Sequence, residues 1–436
     1  MFGGVSPSGL TPTTNFFDYY PSRRPLLGSL TSLEATVVAE LRAADAALSF
    51  FDVLFYDGSA LCGHPDPNLA WCLNTALAFM LNSSSAWKGI ERLRFFITYS
   101  NDIDAGTPNV FVGAAGEAKW ISLVGTWVGA MGHDRYLKVN GRPIFKVLIP
   151  TVFVQECGGN STLATLRLHQ LRAAAAAAGV GAVAIGGGWA NPAVGGQGGT
   201  LRPHPEGYMR YNNTKVTCPG SCILKAVPVS SVTECLRLCN ETSACVAVDA
   251  DHKLSSCKVL SSAGPAAGDP ANDVYVRVNP PVEYDWTGTY NDAPPPNSGG
   301  RYTNSWMPNS TQSGAKVFPY KECGDFQGEA RTNHSNDSVP YLPNIIAGFD
   351  PRPWEEHAPS FAFPSSSEWE AVLRQVKEQA LSPANNYGFP DASKPRGVQP
   401  AVNIYAWNEY GEGGIMAPTH GDGFMKLETI AKVFGK

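Results

Sequence analysis

Short apolar runs that end in polar or aromatic residues recur along the chain, and each is typical of a strand buried on both faces. The seven clearest runs are residues 52–57, 92–102, 143–149, 182–189, 282–291, 342–350 and 401–410. Segments with helical periodicity separate most of them, at residues 33–48, 68–81, 118–131, 161–178, 366–381 and 423–433. Strands that alternate with one-sided helices indicate an α/β fold with a parallel sheet.

The number of strands and the chain length of 436 residues favour a (β/α)8 barrel of the TIM type. A nucleotide-binding sheet is the alternative, but no G-x-G-x-x-G follows a strand, and Gly186, Gly187 and Gly188 lack that spacing. A barrel needs eight strands. Because a helical segment precedes the first visible strand, we expect the first strand before Arg23 or upstream of a truncated start.

The strand–helix rhythm breaks in the middle of the chain, which predicts an inserted module. The expected domains are a first barrel part at residues 1–204, the module at 205–279, and a second barrel part with the catalytic motif at 280–436. The module follows the strand that ends at Trp189, so it leaves from the carboxyl end of a barrel strand. That end carries the active site in such barrels, so we expect the module beside the catalytic mouth.

Cysteines and glycosylation sequons indicate a secreted or lumenal glycoprotein. Six of the ten cysteines lie inside the module, in a stretch of forty residues. This density is typical of a domain held by disulfides in an oxidising compartment. Zinc binding is the alternative, but the spacings do not form paired C-x-x-C knuckles. The predicted glycosylation sites are Asn82, Asn160, Asn212, Asn240, Asn309, Asn333 and Asn336. The sequence shows neither a signal segment nor a membrane span, which agrees with a missing start.

Composition excludes several classes of protein. Hydrophobic residues make up 43% of the chain and charged residues 16%, so it can bury a large core. A net charge of −5 argues against a nucleic-acid binder. The eight histidines lack metal-binding spacing, and there is no G-x-S-x-G elbow, so we expect no metal site, no cofactor and no serine nucleophile.

The densest polar cluster follows the last strand, where an apolar run leads into Trp407, Asn408 and Glu409, with Glu412 three positions on. Two carboxylates at one strand end can serve as general base and general acid when their environments separate their pKa values. Gly411 and Gly413 permit a tight loop that turns both side chains inward. A solvated acidic turn is the alternative.

Other strand ends supply polar and aromatic side chains. The candidate substrate-binding residues are Tyr56, Asp57, Tyr99, Asn101, Asp102, Trp189, Tyr290, Asn291, Asp350, Trp354, Trp407, Asn408 and Tyr410, with Asp292 and Arg352 nearby. Each alone is more often structural than functional. Together at one barrel rim, they would line a groove suited to carbohydrate.

Three segments resemble the glycoside hydrolase family 99-like and WbsX-like proteins. These are residues 404–418 (IYAWNEYGEGGIMAP), 136–145 (YLKVNGRPIF) and 342–354 (LPNIIAGFDPRPW). The resemblance implies a (β/α)8 barrel that cleaves glycosidic bonds with retention of configuration. It also implies that Glu409 assists attack by the sugar 2-hydroxyl, and that Glu412 protonates the leaving oxygen and later activates water.

Three positions depart from the family pattern. Tyr410 replaces the usual Trp, Gly411 stands where the endo-mannosidases carry His, and Ala417 replaces the Glu before Pro418. Both glutamates of the family motif are present in this sequence, but the residues around them differ, so the resemblance does not imply specificity for mannan.

The module resembles a PAN/apple domain at residues 234–245 (ECLRLCNETSAC) and 257–260 (CKVL). This resemblance implies disulfides Cys235–Cys257 and Cys239–Cys245, and leaves Cys218–Cys222 as a local pair. Outside the module, Cys62–Cys72 and Cys157–Cys323 would complete the count. PAN modules bind protein or carbohydrate, so this one would hold a polysaccharide near the barrel.

The sequence thus predicts an endo-acting, retaining glycoside hydrolase with a polysaccharide or glycan substrate. One alternative is a non-catalytic carbohydrate-binding or matrix protein on a degenerate barrel. A glycosyltransferase is the other alternative, although no nucleotide-sugar site is visible.

Overall fold

The structure is a computed structural model of the chain. It describes residues 20–28, 33–57, 72–101, 109–188, 201–204, 208–211, 214–216, 223–242, 245, 247–251, 253, 255–260, 266–268, 272–277, 284–288, 317–332, 339–350 and 360–435.

The fold is mixed α/β. The described α-helices are α1 (Leu33–Asp45), α2 (Thr75–Asn82), α3 (Gly113–Met131), α4 (Pro150–Glu156), α5 (Ser161–Ala177), α6 (Val232–Asn240), α7 (Tyr320–Thr332), α8 (Ser366–Leu381) and α9 (Met425–Phe434). Short 3-10 helices cover Pro21–Arg23 and Cys72–Asn74.

The strands in the first half of the described chain are β1 (Phe50–Tyr56), β2 (Arg94–Ser100), β3 (Lys138–Val139), β4 (Arg142–Val147), β5 (Ala184–Gly188), β6 (Leu201–His204), β7 (Tyr208–Tyr211), β8 (Thr214–Val216), β9 (Ile223–Val227), β10 (Ala247–Asp251), β11 (Cys257–Leu260), β12 (Ala266–Gly268) and β13 (Asn272–Arg277). The later strands are β14 (Trp286–Gly288), β15 (Val317–Phe318), β16 (Tyr341–Leu342), β17 (Asn344–Ile346), β18 (Ser360–Phe361), β19 (Phe389–Pro390), β20 (Val398–Gln399), β21 (Asn403–Tyr405), β22 (Asn408–Glu409) and β23 (Gly414–Ile415).

The main sheet is parallel and curled. Its strand order is β1-β2-β4-β5-β14-β16, and a second parallel pair, β17–β21, continues beyond Pro343. The Asn403 side chain of β21 donates a hydrogen bond of 3.3 Å to Asp52 of β1, so the last strand returns close to the first. Each of the seven predicted buried runs overlaps one of these strands, which confirms the parallel sheet.

The first barrel strand predicted before Arg23 falls on residues 1–19, which lie outside the described residues, and the described residues Pro21–Arg23 form a 3-10 helix. Outside the inserted segment, two described helices, α4 and α7, were absent from the prediction. Helix α4 has only seven residues, and α7 carries Gly324 and Gly328 among polar residues, which hides its periodicity. Helix α8 begins where predicted because Ser365 and Glu368 form a capping box there.

Aromatic rings fill one end of the space inside the curled sheet. The rings of Phe96, Trp286 and Phe389 contact one another at centroid distances of 5.2–6.3 Å. Gly186 lies against this cluster, and a Cβ at that position would come within 2.3 Å of the Trp286 ring. Only glycine therefore fits beside the indole.

A polar group ties four strands together inside the sheet. Asp52 accepts hydrogen bonds from Thr98, Lys146 and Asn403, and we call these four residues the interior polar layer. The Lys146 side chain is fully buried and its ammonium group pairs with the Asp52 carboxylate. A buried charge of this kind is tolerated only when it is paired and hydrogen-bonded.

The inserted segment forms an antiparallel sheet in the order β6-β7-β13-β10-β11-β9, which begins at Leu201, with α6 packed against it. Two disulfides, Cys235–Cys257 and Cys239–Cys245, are present as predicted. The predicted pairs of Cys218 with Cys222 and of Cys62 with Cys72 involve residues outside those the structure describes.

The predicted Cys157–Cys323 disulfide is wrong. Both side chains are buried, but they belong to different hydrophobic clusters. Cys157 belongs to the large cluster that includes Phe145 and Phe153, and Cys323 belongs to the cluster that includes Phe318 and Phe349. Burial raises the pKa of the Cys157 thiol to about 12, so this group stays protonated. An even number of cysteines therefore does not mean that every cysteine is paired.

Two predicted glycosylation sites lie in described, exposed positions. Asn82 ends α2, where its side-chain amide donates to the Ala78 carbonyl at 2.9 Å, and Asn160 caps α5 by accepting from the Leu163 N–H at 3.1 Å. Asn240 ends α6. Asn212, Asn309, Asn333 and Asn336 lie outside the described residues, and modification of all seven stays a prediction.

Peptide mapping under non-reducing conditions, after thiols are blocked in denaturant, tests the cysteine arrangement. We expect linked peptides for Cys235–Cys257 and Cys239–Cys245, and a blocked thiol at Cys157, which forms no disulfide with any described cysteine. A linked Cys157–Cys323 peptide would contradict the structure.

Candidate active site

The two predicted catalytic glutamates lie on one β-hairpin at the carboxyl end of β21. Strands β22 and β23 pair antiparallel, with Glu409 opposite Gly414, and the turn at residues 410–413 contains Glu412. We call residues 408–415 the acidic hairpin. Gly413 has φ 79°, and a Cβ there would lie 2.9 Å from the Asp350 nitrogen, so the turn needs glycine at this position. Both glutamates are half-buried.

Glu412 is held by its side chain and by its backbone. The Tyr405 hydroxyl donates a hydrogen bond to Glu412 Oε2, and the Asp350 N–H donates to the Glu412 carbonyl at 2.6 Å. Tyr405 ends β21 and its ring is buried against Phe318 and Phe361, so the phenol is a fixed donor. The Glu412 carboxylate is therefore oriented from the strand below it.

Arg23 fastens the acidic hairpin to the neighbouring strand end. Its guanidinium pairs with Asp350 Oδ2 at 2.5 Å and donates to the carbonyls of Tyr410 at 3.0 Å and Gly411 at 3.4 Å. The group also lies over the rings of Tyr20 and Phe363, at 4.4 and 5.1 Å from their centroids. Both members of the ion pair are buried and have lost their contact with water. The hydrogen bonds between the guanidinium, the Asp350 carboxylate and the two carbonyls offset this loss of solvation.

Predicted rim residues near the hairpin are Trp407, Asn408, Tyr410 and Asp350. Trp407 precedes the hairpin and is half-buried, Asn408 opens β22, and Tyr410 is buried. The Asp350 carboxylate lies behind the turn, where it pairs with Arg23.

Three other predicted residues lie apart from the hairpin, at the ends of β1 and β2. The Tyr99 hydroxyl donates to Glu156 Oε1 at 2.9 Å, and the Asn101 amide donates to the Ile149 carbonyl at 2.9 Å and, more weakly, to Glu156 Oε2 at 3.5 Å. Asp57 pairs with Lys119 of α3 at 2.8 Å. These contacts create a buried group between sheet and helices, the Glu156 cluster (Tyr99, Asn101 and Glu156).

Tyr56 is half-buried, and its backbone exchanges hydrogen bonds with the Asn74 side chain at 2.8 and 2.9 Å. Asp102, Trp189, Tyr290, Asn291 and Trp354, with Asp292 and Arg352, lie outside the described residues.

The Glu156 cluster has unusual electrostatics. Burial raises the pKa of Glu156 to about 8, and nearby Asp57 adds to this, while hydrogen bonds from Tyr99 and Asn101 and the charge of Lys119 oppose it. The carboxyl is therefore largely protonated at neutral pH. The Tyr284 hydroxyl, also buried, has no hydrogen-bond partner among the described atoms.

Four functional candidates were missed from the sequence: Arg23, Tyr405, Glu156 and Glu40. Glu40 lies on α1, where burial raises the pKa of its carboxyl to about 7. A sequence signal existed for Glu40, which interrupts the apolar stripe of its helix. No signal marks Arg23, because its partner Asp350 is 327 positions away.

Within the part of the chain that the structure describes, no group of three or more His, Cys, Asp or Glu side chains could hold a metal ion. No described helix combines the length and the apolar character needed to cross a bilayer.

Comparisons with known proteins give structural likeness only. No protein-family model matches the chain, and no curated protein matches it. A glycoside hydrolase-like protein is similar in structure at a TM-score of 0.47 and 11% identity, over 94% of this chain and 89% of that one.

Two structures of the GH99 endo-alpha-mannosidase from Bacteroides thetaiotaomicron are also similar. One, in complex with Bis-Tris propane, aligns at a TM-score of 0.38 and 11% identity, over 94% of this chain and 86% of that one. The other aligns at 0.40 and 10%, over 99% and 89% of the two chains. Scores and identities this low assign no activity, so function rests on the side chains of this chain.

Replacing Arg23 by alanine should destabilise the protein strongly. The change leaves the Asp350 carboxylate buried without its guanidinium partner, and breaking a buried pair in this way costs about 3–5 kcal/mol. Urea denaturation measures the free energy of unfolding, with Arg24→Ala, at an exposed position next door, as the control. If Arg23→Ala lowers the free energy of unfolding no more than Arg24→Ala does, the ion pair does not anchor the hairpin.

Glu156 should make stability pH-dependent. Its pKa lies at about 8 in the folded chain, against an ordinary value of 4.5. The folded state therefore keeps a proton that the unfolded chain loses between these values, and the free energy of unfolding falls as pH rises through this window. Glu156→Gln should remove this fall, which amounts to roughly 1.4 kcal/mol per pH unit.

Denaturation at a series of pH values, with the exposed-site variant Glu378→Gln as control, measures the effect. Parallel pH curves for wild type and Glu156→Gln would contradict the assignment.

Proposed function

We propose that the chain is a glycoside hydrolase that acts on a polysaccharide or other glycan through Glu409 and Glu412. The acidic hairpin carries this proposal. It places both carboxylates at the carboxyl end of a strand of a curled parallel sheet, where enzymes of the barrel class keep their active sites. The Tyr405 hydroxyl orients the Glu412 carboxylate, as a proton-transfer group requires.

The resemblance of residues 404–418 to the family 99-like proteins supplies the proposed roles. Glu409 takes the proton of the sugar 2-hydroxyl while that oxygen attacks its own anomeric carbon. The bond to the leaving oxygen breaks, and Glu412 gives that oxygen a proton. Water then attacks the anomeric carbon of the epoxide-like intermediate, giving its proton to Glu412, and the 2-oxygen regains a proton from Glu409. Two inversions give net retention.

The proposal includes a complete (β/α)8 barrel and a PAN/apple-like module. The return of β21 to β1 through the Asn403–Asp52 hydrogen bond supports the barrel, and we propose a first strand before Arg23. The two disulfides of the inserted sheet match the pairing that the PAN/apple resemblance implies. We keep the predicted domains 1–204, 205–279 and 280–436, except that β6 (Leu201–His204) pairs into the sheet of the module, and we propose that the module binds a glycan or a protein.

The proposed substrate groove combines the rim residues with the acidic hairpin. Tyr56, Trp407, Asn408 and Tyr410 are the described candidates, joined by Asp102, Trp189, Tyr290, Asn291 and Trp354. The remaining candidates would shape the groove, because their side chains are held by other protein groups. Asp57 pairs with Lys119, and Asp350 pairs with Arg23. Tyr99 and Asn101 donate hydrogen bonds to Glu156. The disulfides support a secreted or lumenal location, since such bonds persist in oxidising compartments.

Neutralising either glutamate should abolish hydrolysis without unfolding the chain. Loss of a positioned acid or base typically costs about 10²–10⁴-fold in rate, so Glu409→Gln and Glu412→Gln should release almost no product. Wild type and variants are incubated with a panel of α-linked and sulfated polysaccharides, and released oligosaccharides are separated and counted. Glu428→Gln, on the exposed side of α9, is the matched control.

Wild-type activity that survives in Glu412→Gln would refute the catalytic assignment. Binding of a glycan without any product from wild type would favour a carbohydrate-binding protein, and the module would then be the part to test next.

A further inference from the structure

Helix α9 buries a charged side chain in its first turn. Lys426 is 3% exposed and lies on the buried face of the helix with Ile430 and Val433, four and seven positions further along the chain. Residues at these spacings share a helix face. An ammonium group is costly to bury, and the positive end of the helix dipole disfavours it further at an N-terminus. The lysine therefore needs partners of its own.

The Lys426 ammonium group connects α9 to the acidic hairpin. It donates to the Ile415 carbonyl of β23 at 2.7 Å and to Asp422 Oδ2, in the loop before the helix, at 2.6 Å. The backbone of the lysine is fixed as well, because the indole N–H of Trp369 on α8 donates to its carbonyl at 3.2 Å. Two packed helices thus fix the donor that holds one strand of the hairpin.

The peptide group between Ile415 and Met416 passes this contact on toward Glu409. Its carbonyl accepts from the ammonium group, and its N–H nitrogen lies 2.9 Å from the Ala406 carbonyl oxygen and 3.0 Å from that of Trp407. Those two residues lead directly into β22, which ends at Glu409. A lysine that fixes this peptide group therefore also fixes the chain that enters the strand of Glu409.

The Phe363 ring lies between the contacts of two buried cations with the hairpin. Its centroid is 5.4 Å from the Lys426 ammonium nitrogen and 5.1 Å from the Arg23 guanidinium carbon, distances at which an aromatic face attracts a positive charge. The ring packs against the turn, since a Cβ at Gly413 would lie 3.3 Å from it. Arg23 bonds the backbone of the turn and Lys426 bonds β23, so the hairpin is held at two separate places.

We propose that Lys426 is a positioning residue for the acidic hairpin and acts on Glu409 through the Ile415–Met416 peptide group. The catalytic part of this proposal rests on the proposed function, whereas the contact with the hairpin does not. A lysine that only stabilised the fold would affect all parts of the chain together. A positioning lysine affects the hairpin and leaves the sheet unchanged, so the two regions are compared.

Hydrogen exchange followed by mass spectrometry measures the contact without any assay of activity. Lys426→Met keeps an apolar stem and removes the ammonium group, so exchange in peptides that cover residues 406–418 should become about tenfold faster while peptides of β2 keep the wild-type rate. Lys432→Met, at an exposed position of the same helix, is the matched control and should change neither region. Should Lys426→Met fold poorly, Lys426→Gln should give the same local acceleration, because its shorter amide cannot reach both Ile415 and Asp422.

Steady-state kinetics on a glycan that the wild type cleaves measure the positioning role. In Lys426→Met, kcat should fall about 10- to 100-fold with KM little changed, because a displaced proton-transfer group slows the chemical step rather than the binding of substrate. Lys426→Arg, which keeps a charged donor, should recover most of the lost kcat. Lys432→Met should keep both constants of the wild type.

Exchange in residues 406–418 that stays at the wild-type rate in Lys426→Met overturns the inference. Equal acceleration in the hairpin and in β2 also overturns it, since the lysine would then serve the whole fold. A local acceleration in a protein that cleaves no glycan would uphold the contact and refute the proposed function instead. A local acceleration with unchanged kcat, in an enzyme that Glu412→Gln inactivates, would overturn the positioning role alone.

Discussion

The buried ion pair between Arg23 and Asp350 is the constraint on which the candidate site depends. A guanidinium out of water needs most of its donors satisfied, and here Asp350 and the carbonyls of Tyr410 and Gly411 share that task. The turn that carries Glu412 is therefore shaped around an arginine from the other end of the chain. The Asp350 N–H then bonds the Glu412 carbonyl, so strand end, arginine and hairpin form one unit.

Other buried polar groups extend this arrangement through the sheet. The interior polar layer joins β21 to β1, β2 and β4, and the Glu156 cluster joins the end of β2 to α4. In the first, a lysine and an aspartate cancel each other's charge; in the second, the carboxyl avoids charge by holding its proton. Both solutions connect different elements of the fold through hydrogen bonds between buried polar side chains.

Prediction from sequence succeeded where the signal is local. Strands buried on both faces stand out as apolar runs, and two glutamates spaced by glycines at a strand end indicated the acidic hairpin. It failed where the structure depends on distant partners. Arg23 anchors the hairpin only because Asp350, far away in the sequence, lies beside it. The expected Cys157–Cys323 disulfide was wrong because an even number of cysteines does not show which of them lie close together. Glu40 could have been found, since a carboxylate among Val37, Leu41 and Ala44 breaks the pattern of its helix.

The anchoring of the hairpin also separates the two interpretations of its glutamates. A solvated acidic turn would leave both carboxylates exposed and its backbone free to move, whereas these residues are half-buried and the turn is bonded to Asp350 and Arg23. The glutamates are also unequal. Glu412 lies in the turn and accepts a hydrogen bond from the Tyr405 hydroxyl at the end of β21. Glu409 lies on β22, directly after Trp407 and Asn408. Unequal surroundings are what allow two neighbouring carboxyls to take different roles in proton transfer, as the proposed function requires.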